Sequence, residues 1–378
     1  MEPVTHFLTG ACIGRAGFNR KTAYATLAAV LAAEAADLDV LWEFAGPVEV
    51  LKHHRGITHT FLFVPVIAAA VIAAIWLIDR FFQRRTKSKS AALPNQKVIA
   101  PVALQWGWLY LTAMVAALSH IALDWTNNYG VRPFFPFNPK WYEGSIVYIA
   151  EPVIWALLLL ALIMPWLLGL ADQEIGARRK RFRGRGWAIF ALAAMVALWG
   201  WRWFERGQAL IMLSKTQVTR EPIQRIGLEP YPVNPYHWRA ILETRDYYQT
   251  AEINTFNPDS PIAITTDSEQ DIMYKPTDTP AVEAAKQTFL GRVYLDWGRW
   301  AVVRDVGPEP IPGVPPPNLP FNRKWTTVTF TDLRFSNTTL GAFSGQKTPL
   351  SGWVYIVDGH DEAAEGMGSR EQKTGAGQ

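Results

Sequence analysis

A single cysteine, Cys12, in a chain of 378 residues excludes an internal disulfide and any cysteine-based zinc site. Charge is scarce too: Asp, Glu, Lys and Arg make up 19% of the chain, below the roughly 25% usual for soluble proteins, so a simple one-domain cytosolic enzyme is excluded. Met1-Glu2-Pro3 lacks a basic leader and a cleavage site, so the N-terminus is expected to be retained. There is no internal repeat. The mean hydropathy of +0.02 describes neither half of the molecule. Up to about Phe204 the chain holds long apolar runs; from about Glu205 onward it is polar and Pro-rich.

Four runs are long enough to cross a bilayer, which takes ~20 apolar residues: Phe61–Ile78, Val102–Trp125, Val147–Ala171 and Trp187–Phe204. Two less pure helices precede them, over residues 4–17 and over Thr22–Phe44. Basic residues concentrate in alternate loops. Arg15, Arg20 and Lys21 fill the first, and Arg80, Arg84, Arg85, Lys87, Lys89 and Lys97 the second. Arg178, Arg179, Lys180, Arg181, Arg183 and Arg185 fill the third. Short loops rich in Lys and Arg stay in the cytoplasm, which puts the N-terminus and everything after Phe204 outside. The net charge of +4 therefore belongs to the membrane topology, and no nucleic-acid partner is expected. The Trp-rich segments read as interfacial anchors.

Past Phe204 an amphipathic stretch, Gln208–Thr216, leads into alternating runs that predict strands: Trp238–Thr244, Tyr247–Asn254, Trp300–Val306, Trp325–Phe335 and Trp353–Val357. One helix is expected at Ala281–Tyr294 and an extended loop at Gly307–Pro320. The fold class is an α-helical multi-pass membrane domain over residues 1–205, with about six helices, two of them short or polar. A smaller extramembrane β-rich α+β domain follows over 206–358, then a disordered tail over 359–378.

On that topology the ionisable residues of the apolar half gather at one level. His6 lies near the outer start of the first helix, and Asp37 and Asp39 toward the outer end of the second. His53, His54, Arg55 and His59 lie in the next outer loop, His120 and Asp124 at the outer end of a span, and Glu151 near the start of another. An uncompensated Asp costs roughly 2.5–3.5 kcal/mol at a helix centre, less toward the interface, so several together call for a neutralising partner. Arg55 alone cannot pair with all of them. A divalent cation can, and His-plus-carboxylate ligation suits zinc or another transition metal.

Thr5-His6-x3-Gly10, Ala36-Asp37-Leu38-Asp39, His53-His54-Arg55-Gly56-Ile57-Thr58-His59 and His120-x3-Asp124 resemble the LexA-regulated, membrane-bound metal-dependent hydrolase family (YdjM-like) over roughly residues 1–205. Ala36 replaces the proline that family usually carries before Asp-x-Asp. The order of ligands is also similar to the zinc-dependent phospholipase C and P1-type nuclease pattern, although the later His-x3-Glu pair of that group is absent. The resemblance implies hydrolysis of a phosphate ester or lipid-linked substrate at the outer face of a bacterial inner membrane. It implies His6, Asp37, Asp39, His54 (or His53), His59, His120 and Asp124 as ligands of one or more zinc or other divalent ions. Asp39 or Glu151 would be the general base, and Arg55 would bind substrate phosphate or orient Asp37 or Asp39. Gly10 and Gly56 are expected to permit close approach or a turn. The alternatives are a noncatalytic envelope protein braced by metal and, further off, a metal or proton transporter.

Overall fold

The computed structural model describes residues 1–87, 102–174, 184–257, 262–263, 272–336 and 350–368. Lys89, Lys97 and the basic residues from Arg178 to Arg183 lie outside these. Four helices are long and apolar enough to cross a membrane. They are α4 (Val64–Lys87), α5 (Trp106–Thr126), α6 (Pro152–Glu174) and α7 (Arg185–Lys215). Leu77, Leu160, Trp166 and Phe190 project from them exposed, as lipid-facing side chains do. Before them come α1 (Pro3–Arg15) and α2 (Ala25–Glu34). At 13 and 10 residues, α1 and α2 are roughly 20 and 15 Å long, too short to cross alone.

These two instead form a tight pair inside the bundle. A Cβ on Gly10 would stand 2.7 Å from the Ala29 carbonyl oxygen, and one on Gly14 would stand 2.5 Å from Thr26 Cα. Glycine is required at both for backbones this close. The opposite face of α2 buries Ala28 and Ala32 with Ala113, Ala116 and Ala117 of α5. The ends of the three basic loops meet at one end of the bundle: Arg15 donates to the Leu162 carbonyl (3.0 Å), Arg185 to the Ala16 carbonyl (3.1 Å), and the Gln105 amide to Thr22 Oγ1 (2.9 Å).

The single helix expected over Thr22–Phe44 does not form. The chain leaves α geometry at Glu34 and runs as a 3-10 segment from Ala35 to Ala45. Two residues apart on an α-helix point about 200° apart, so Asp37 and Asp39 could not both turn to one centre from a regular turn. A 3-10 run this long is uncommon and marks a constrained site. It is followed by α3 (Pro47–His53).

The C-terminal half holds two antiparallel sheets. In the first, β1 (Arg225–Pro230), β2 (His237–Glu243) and β3 (Tyr247–Asn254) run in order, and β3 also pairs with the short β4 (Ile262–Ala263) and β5 (Ile272–Tyr274). In the second, β6 (Ala301–Asp305), β7 (Trp325–Asp332), β8 (Gly352–Val357) and β9 (Asp361–Met367) form a meander. Strand β3 buries every second residue, from Tyr247 to Ile253, as its alternation predicts. The predicted helix 281–294 is broken in two, α8 (Pro280–Gln287) and α9 (Phe289–Trp297), because Thr288 caps the second with its side chain on the Gly291 amide. The expected tail is corrected likewise: residues 361–367 pair with β8, and only 369–378 fall outside the described residues.

The halves are not separated at residue 205. Helix α7 has 31 residues, roughly 46 Å against a hydrocarbon core of ~30 Å, and its surplus end carries Ala209 and Leu213 into the core of the first sheet. The amphipathic stretch Gln208–Thr216 is therefore mostly the continuation of this helix. On the other side, Val48 and Leu51 of α3 and Tyr129 join Trp297, Phe335 and Val354 in the core of the second sheet. The β-rich half thus sits over the end of the bundle opposite the basic loops.

Candidate metal centre

At that end, four side chains from three segments converge. His59 sits in a single 3-10 turn (Ile57–His59) before α4, His120 and Asp124 one turn apart on α5, and Asp37 in the 3-10 segment after α2. The Nε2 atoms of His59 and His120 are 3.0 Å apart. Asp37 Oδ1 lies 3.3 Å from the first and 3.6 Å from the second; Asp124 Oδ2 lies 3.3 and 3.4 Å away. A tetrahedral ion with ligand bonds of about 2.0–2.1 Å has ligand–ligand edges of about 3.3–3.4 Å. These five separations, 3.0 to 3.6 Å, bracket those edges.

The hydrogen bonds behind the imidazoles point the same way. His120 Nδ1 donates to the Ala33 carbonyl at 2.6 Å, which leaves a lone pair on Nε2. His59 Nδ1 shares a hydrogen bond with Thr58 Oγ1 at 3.0 Å, with Asp39 Oδ2 3.3 Å away, and this side likewise turns Nε2 inward. Metal-binding histidines are oriented by such contacts. Asp37 Oδ2 and Asp124 Oδ2 are buried without a hydrogen-bond partner, as are both ring nitrogens of His6. Burial lowers the His59 imidazole's proton affinity, yet the Asp124 and Asp37 carboxylates hold its pKa above the ordinary value, the mark of a pocket that favours positive charge. Asp37 is held below the usual carboxylate range: burial works against this, but the hydrogen bond to His59 and the charge of His120 prevail. These Asp and His residues form a cluster that can hold a metal ion.

A second grouping shares Asp37 and adds Asp39 and His54. His54 Nδ1 stands 3.0 Å from Asp39 Oδ1, while Asp39 Oδ2 accepts the Arg55 amide at 2.9 Å. Arg55 holds a left-handed backbone, φ 55°, and Gly56 follows so closely on the His53 carbonyl oxygen (2.7 Å from a Cβ) that no side chain fits there. The expected role of Gly56 in a turn is observed.

The other predicted residues are distributed unevenly. His6 adjoins the cluster, its ring stacked on His120 at 3.8 Å and its Nε2 3.4 Å from Asp124 Oδ1. His53 does not join: it stacks on Trp42 and pairs with Glu49 at 3.2 Å, so His54 is the member of that pair in the cluster. Glu151 is likewise placed elsewhere. Its Oε2 is 2.8 Å from Arg202 and its Oε1 accepts the Val233 amide at 2.9 Å, so both oxygens clasp the bundle to the β-rich half and leave no free base. Arg55, expected at a substrate phosphate, spends its guanidinium on Asp124 (2.9 Å), Asn127 (3.2 Å) and the Gly130 carbonyl (2.8 Å). The expected partners of that side chain are Asp37 or Asp39; it contacts Asp124 instead, and only the Arg55 main-chain N–H reaches Asp39. Asp39 has both oxygens engaged and holds His54 and His59 in place. The Met1 amino group also contacts Asp124.

Sequence reading passed over Asn127 and Tyr129. Asn127 follows Asp124 by three residues and so returns to its face of the chain, a spacing that could have flagged it; Tyr129 lies under the Arg55 guanidinium at 4.5 Å. It also passed over the buried junction above the centre. There Arg334 bonds Asp332 (2.9 Å), Glu143 (2.8 Å) and the Asn128 carbonyl (2.8 Å), and Asn128 donates to Glu229 (2.6 Å). Nothing in the spacing of residues 128, 143, 229 and 334 links them.

Fold and site together define a multi-pass helical membrane protein with a buried Asp/His centre at one end and a β-rich domain over that end. The chain belongs to the YdjM inner membrane protein family, whose model matches residues 1–209, more than half of its length. It associates with the lipid bilayer accordingly. The uncharacterized protein YfhP of Bacillus subtilis (strain 168) is 24% identical over 180 residues, covering 45% of this chain and 47% of that one. The chain thus spans about half the length of this curated relative. No solved structure matches.

Proposed function

We propose that the protein is a metal-dependent hydrolase of the inner membrane, acting on a phosphate ester or lipid-linked substrate at the outer face. The observation that carries this reading is the convergence of Asp37, His59, His120 and Asp124 at the edges of a metal tetrahedron. Zinc suits this donor set best. Four protein ligands alone describe a closed, structural position, whereas catalytic sites keep a position open. The grouping of Asp37, Asp39 and His54 offers three ligands, and His54 lines a cavity, so it supplies the open position. Asp37, Asp39 and His54 would hold the ion there, which would supply water of lowered pKa, toward ~7, as a nucleophile at neutral pH. The chain's own part is to hold the ligands: Asp39 orients His54 and His59, and Arg55 fixes Asp124.

The bracing role predicts metal without turnover, and the open grouping beside the cavity favours the hydrolase. A transporter needs a polar path through the bilayer. Between the centre and the basic-loop end the described core holds Ala32, Ala113, Ala116, Ile75 and Leu109, with no such path among these residues.

Purified wild type is expected to hold stoichiometric metal and to cleave members of a phosphodiester and phospholipid panel, and His59→Ala and Asp124→Ala to lose both. Unchanged metal content in the variants refutes the site; metal without any turnover refutes the hydrolase. For the orientation, Thr277→Cys is expected to react with an impermeant maleimide from outside and Lys21→Cys only after lysis. Labelling of both from one side overturns it.

A further inference from the structure

A cavity of about 540 Å³ lies against the centre, within the range of small-ligand sites. Its composition is lopsided. His54 and Arg55 form its polar part, and Arg55 Nε is buried without a hydrogen-bond partner. The rest is apolar: Val50 and Leu51 of α3, Tyr129, Ile149, and from the C-terminal half Leu350 and Met367. Leu350 is anchored there by its carbonyl, which accepts the Tyr294 hydroxyl at 2.9 Å, and Met367 ends strand β9. Glu43 is the single acid among the lining residues and is solvent-exposed. The surface running up to this cavity is also apolar. Leu38, Val40, Leu41, Trp42 and Phe44 of the 3-10 segment are all exposed, next to Glu43 and Pro47 on the cavity wall. Exposed apolar side chains in one contiguous run mark contact with a membrane or partner, and here they continue the lipid-facing surface of Phe61 and Leu62 before α4.

We infer that the C-terminal domain is half of the substrate pocket, and that the pocket takes a membrane lipid with an anionic headgroup. The headgroup lies at His54 and Arg55, and the chain lies between α3 and the Leu350–Met367 wall. A guanidinium suits a phosphate oxygen, and the apolar wall suits a hydrocarbon chain. This rests on the hydrolase reading for its chemistry but not for its binding. The β-rich half then sets which lipid is used, while the helical half holds the metal.

The test uses the full chain in vesicles containing a phosphatidylglycerol with a diazirine in one acyl chain. Photolabel is expected on the peptides carrying Leu350 and Met367, and the matching neutral diacylglycerol probe is expected to label them weakly. Met367→Asp and the milder Leu350→Ser are expected to cut that labelling roughly tenfold, the effect of removing one buried apolar side chain, with metal content unchanged. The same variants should lose turnover of long-chain phosphodiesters to a greater degree than that of bis(p-nitrophenyl) phosphate. Label confined to α4–α7, or unaltered in both variants, overturns the inference even where hydrolysis is intact. Equal labelling by the neutral probe overturns the headgroup assignment. Wild type that labels as expected yet turns over neither substrate supports the pocket and refutes the hydrolase.

Discussion

Replacing Asp39 by Asn separates the two metal positions. The amide keeps the volume of the carboxylate and an oxygen that can accept the Arg55 amide, so the loop that carries His54 keeps its shape. The charge is lost, and it served two ends. Asp39 belongs to the three-residue grouping beside the cavity, and its Oδ1 stands 3.0 Å from His54 Nδ1. Oδ2, 3.3 Å from His59 Nδ1, orients a ligand of the four-ligand grouping without being part of it. Loss of such an outer partner weakens metal affinity by roughly 10–100-fold, about 1.4–2.8 kcal/mol. Asp39→Asn is therefore expected to drop from two ions to one, with the remaining ion bound 10–100-fold more weakly by the same estimate. Asp37→Ala, which cuts both groupings, should retain neither. Metal content by mass spectrometry and competition with a chromophoric chelator read these numbers. A cobalt-loaded Asp39→Asn protein should keep a tetrahedral absorption spectrum. Two ions at unchanged affinity in Asp39→Asn, or one tight ion in Asp37→Ala, would refute the assignment.

Two further outcomes concern the junction between the halves. Arg202→Met leaves the fully buried Glu151 without its cation, which costs about 3–5 kcal/mol, and Arg202 also gives up the Tyr231 carbonyl. Thermal unfolding in detergent should show the loss, and adding Glu151→Gln should restore most of it; an unchanged midpoint in the single variant contradicts the clasp. Glu229 is pushed up to about 8 by burial, with Glu143 adding to the effect against Arg334 and Asn128. Its folded-state value lies above the unfolded one, so its contribution is fully present below about pH 4.5 and declines as pH rises through about 8. Glu229→Gln should match wild type near pH 4, melt higher at pH 6 and exceed it by the widest margin near pH 9. A wild-type midpoint that rises over that interval, with no difference between the two proteins, argues against a neutral Glu229.

The sequence made the membrane half legible because burial in lipid leaves a coarse signal. Runs of ~20 apolar residues mark the starts of α4 to α7 within five residues, although α4 and α7 run nine and eleven residues past their expected ends, and alternate basic loops give their common end. Strand β3 was legible for a similar reason, since one buried and one half-buried face alternate along Tyr247–Asn254. What failed to show were features decided by tertiary contact. The α geometry of Thr22–Phe44 is broken where Asp37 and Asp39 are drawn toward His59 and His54, although an Ala-rich sequence favours continued helix. Strand β9, Asp-Glu-Ala-Ala-Glu-Gly-Met, has almost no strand propensity, and is held by its ladder to β8. Strand β1 carries Gly227 because the Trp300 ring packs on it, with 2.8 Å to a Cβ; from the sequence that glycine reads as a break.

For the site, residue type and membrane level together picked out the ligand candidates, but could not tell a ligand from a neighbour. His53 and His54 are adjacent and chemically identical. Only the turn at Arg55 and Gly56 sends one to Asp39 and leaves the other stacked on Trp42. Glu151 and Asp124 are both buried acids at the same end of the bundle. The difference lies in what reaches them, Arg202 with the Val233 amide in one case and two imidazoles in the other. The guanidinium of Arg55 makes the point with energy attached. A buried arginine held on Asp124, Asn127 and a carbonyl cannot leave for a substrate without stranding a carboxylate, which costs several kcal/mol. It therefore keeps Asp124 aimed while its unpartnered Nε remains for the ligand. The proposed hydrolysis would then depend on Arg55 as a fixed support, and Arg55→Lys, which keeps the charge but not the fork, should disturb metal binding before it disturbs substrate affinity.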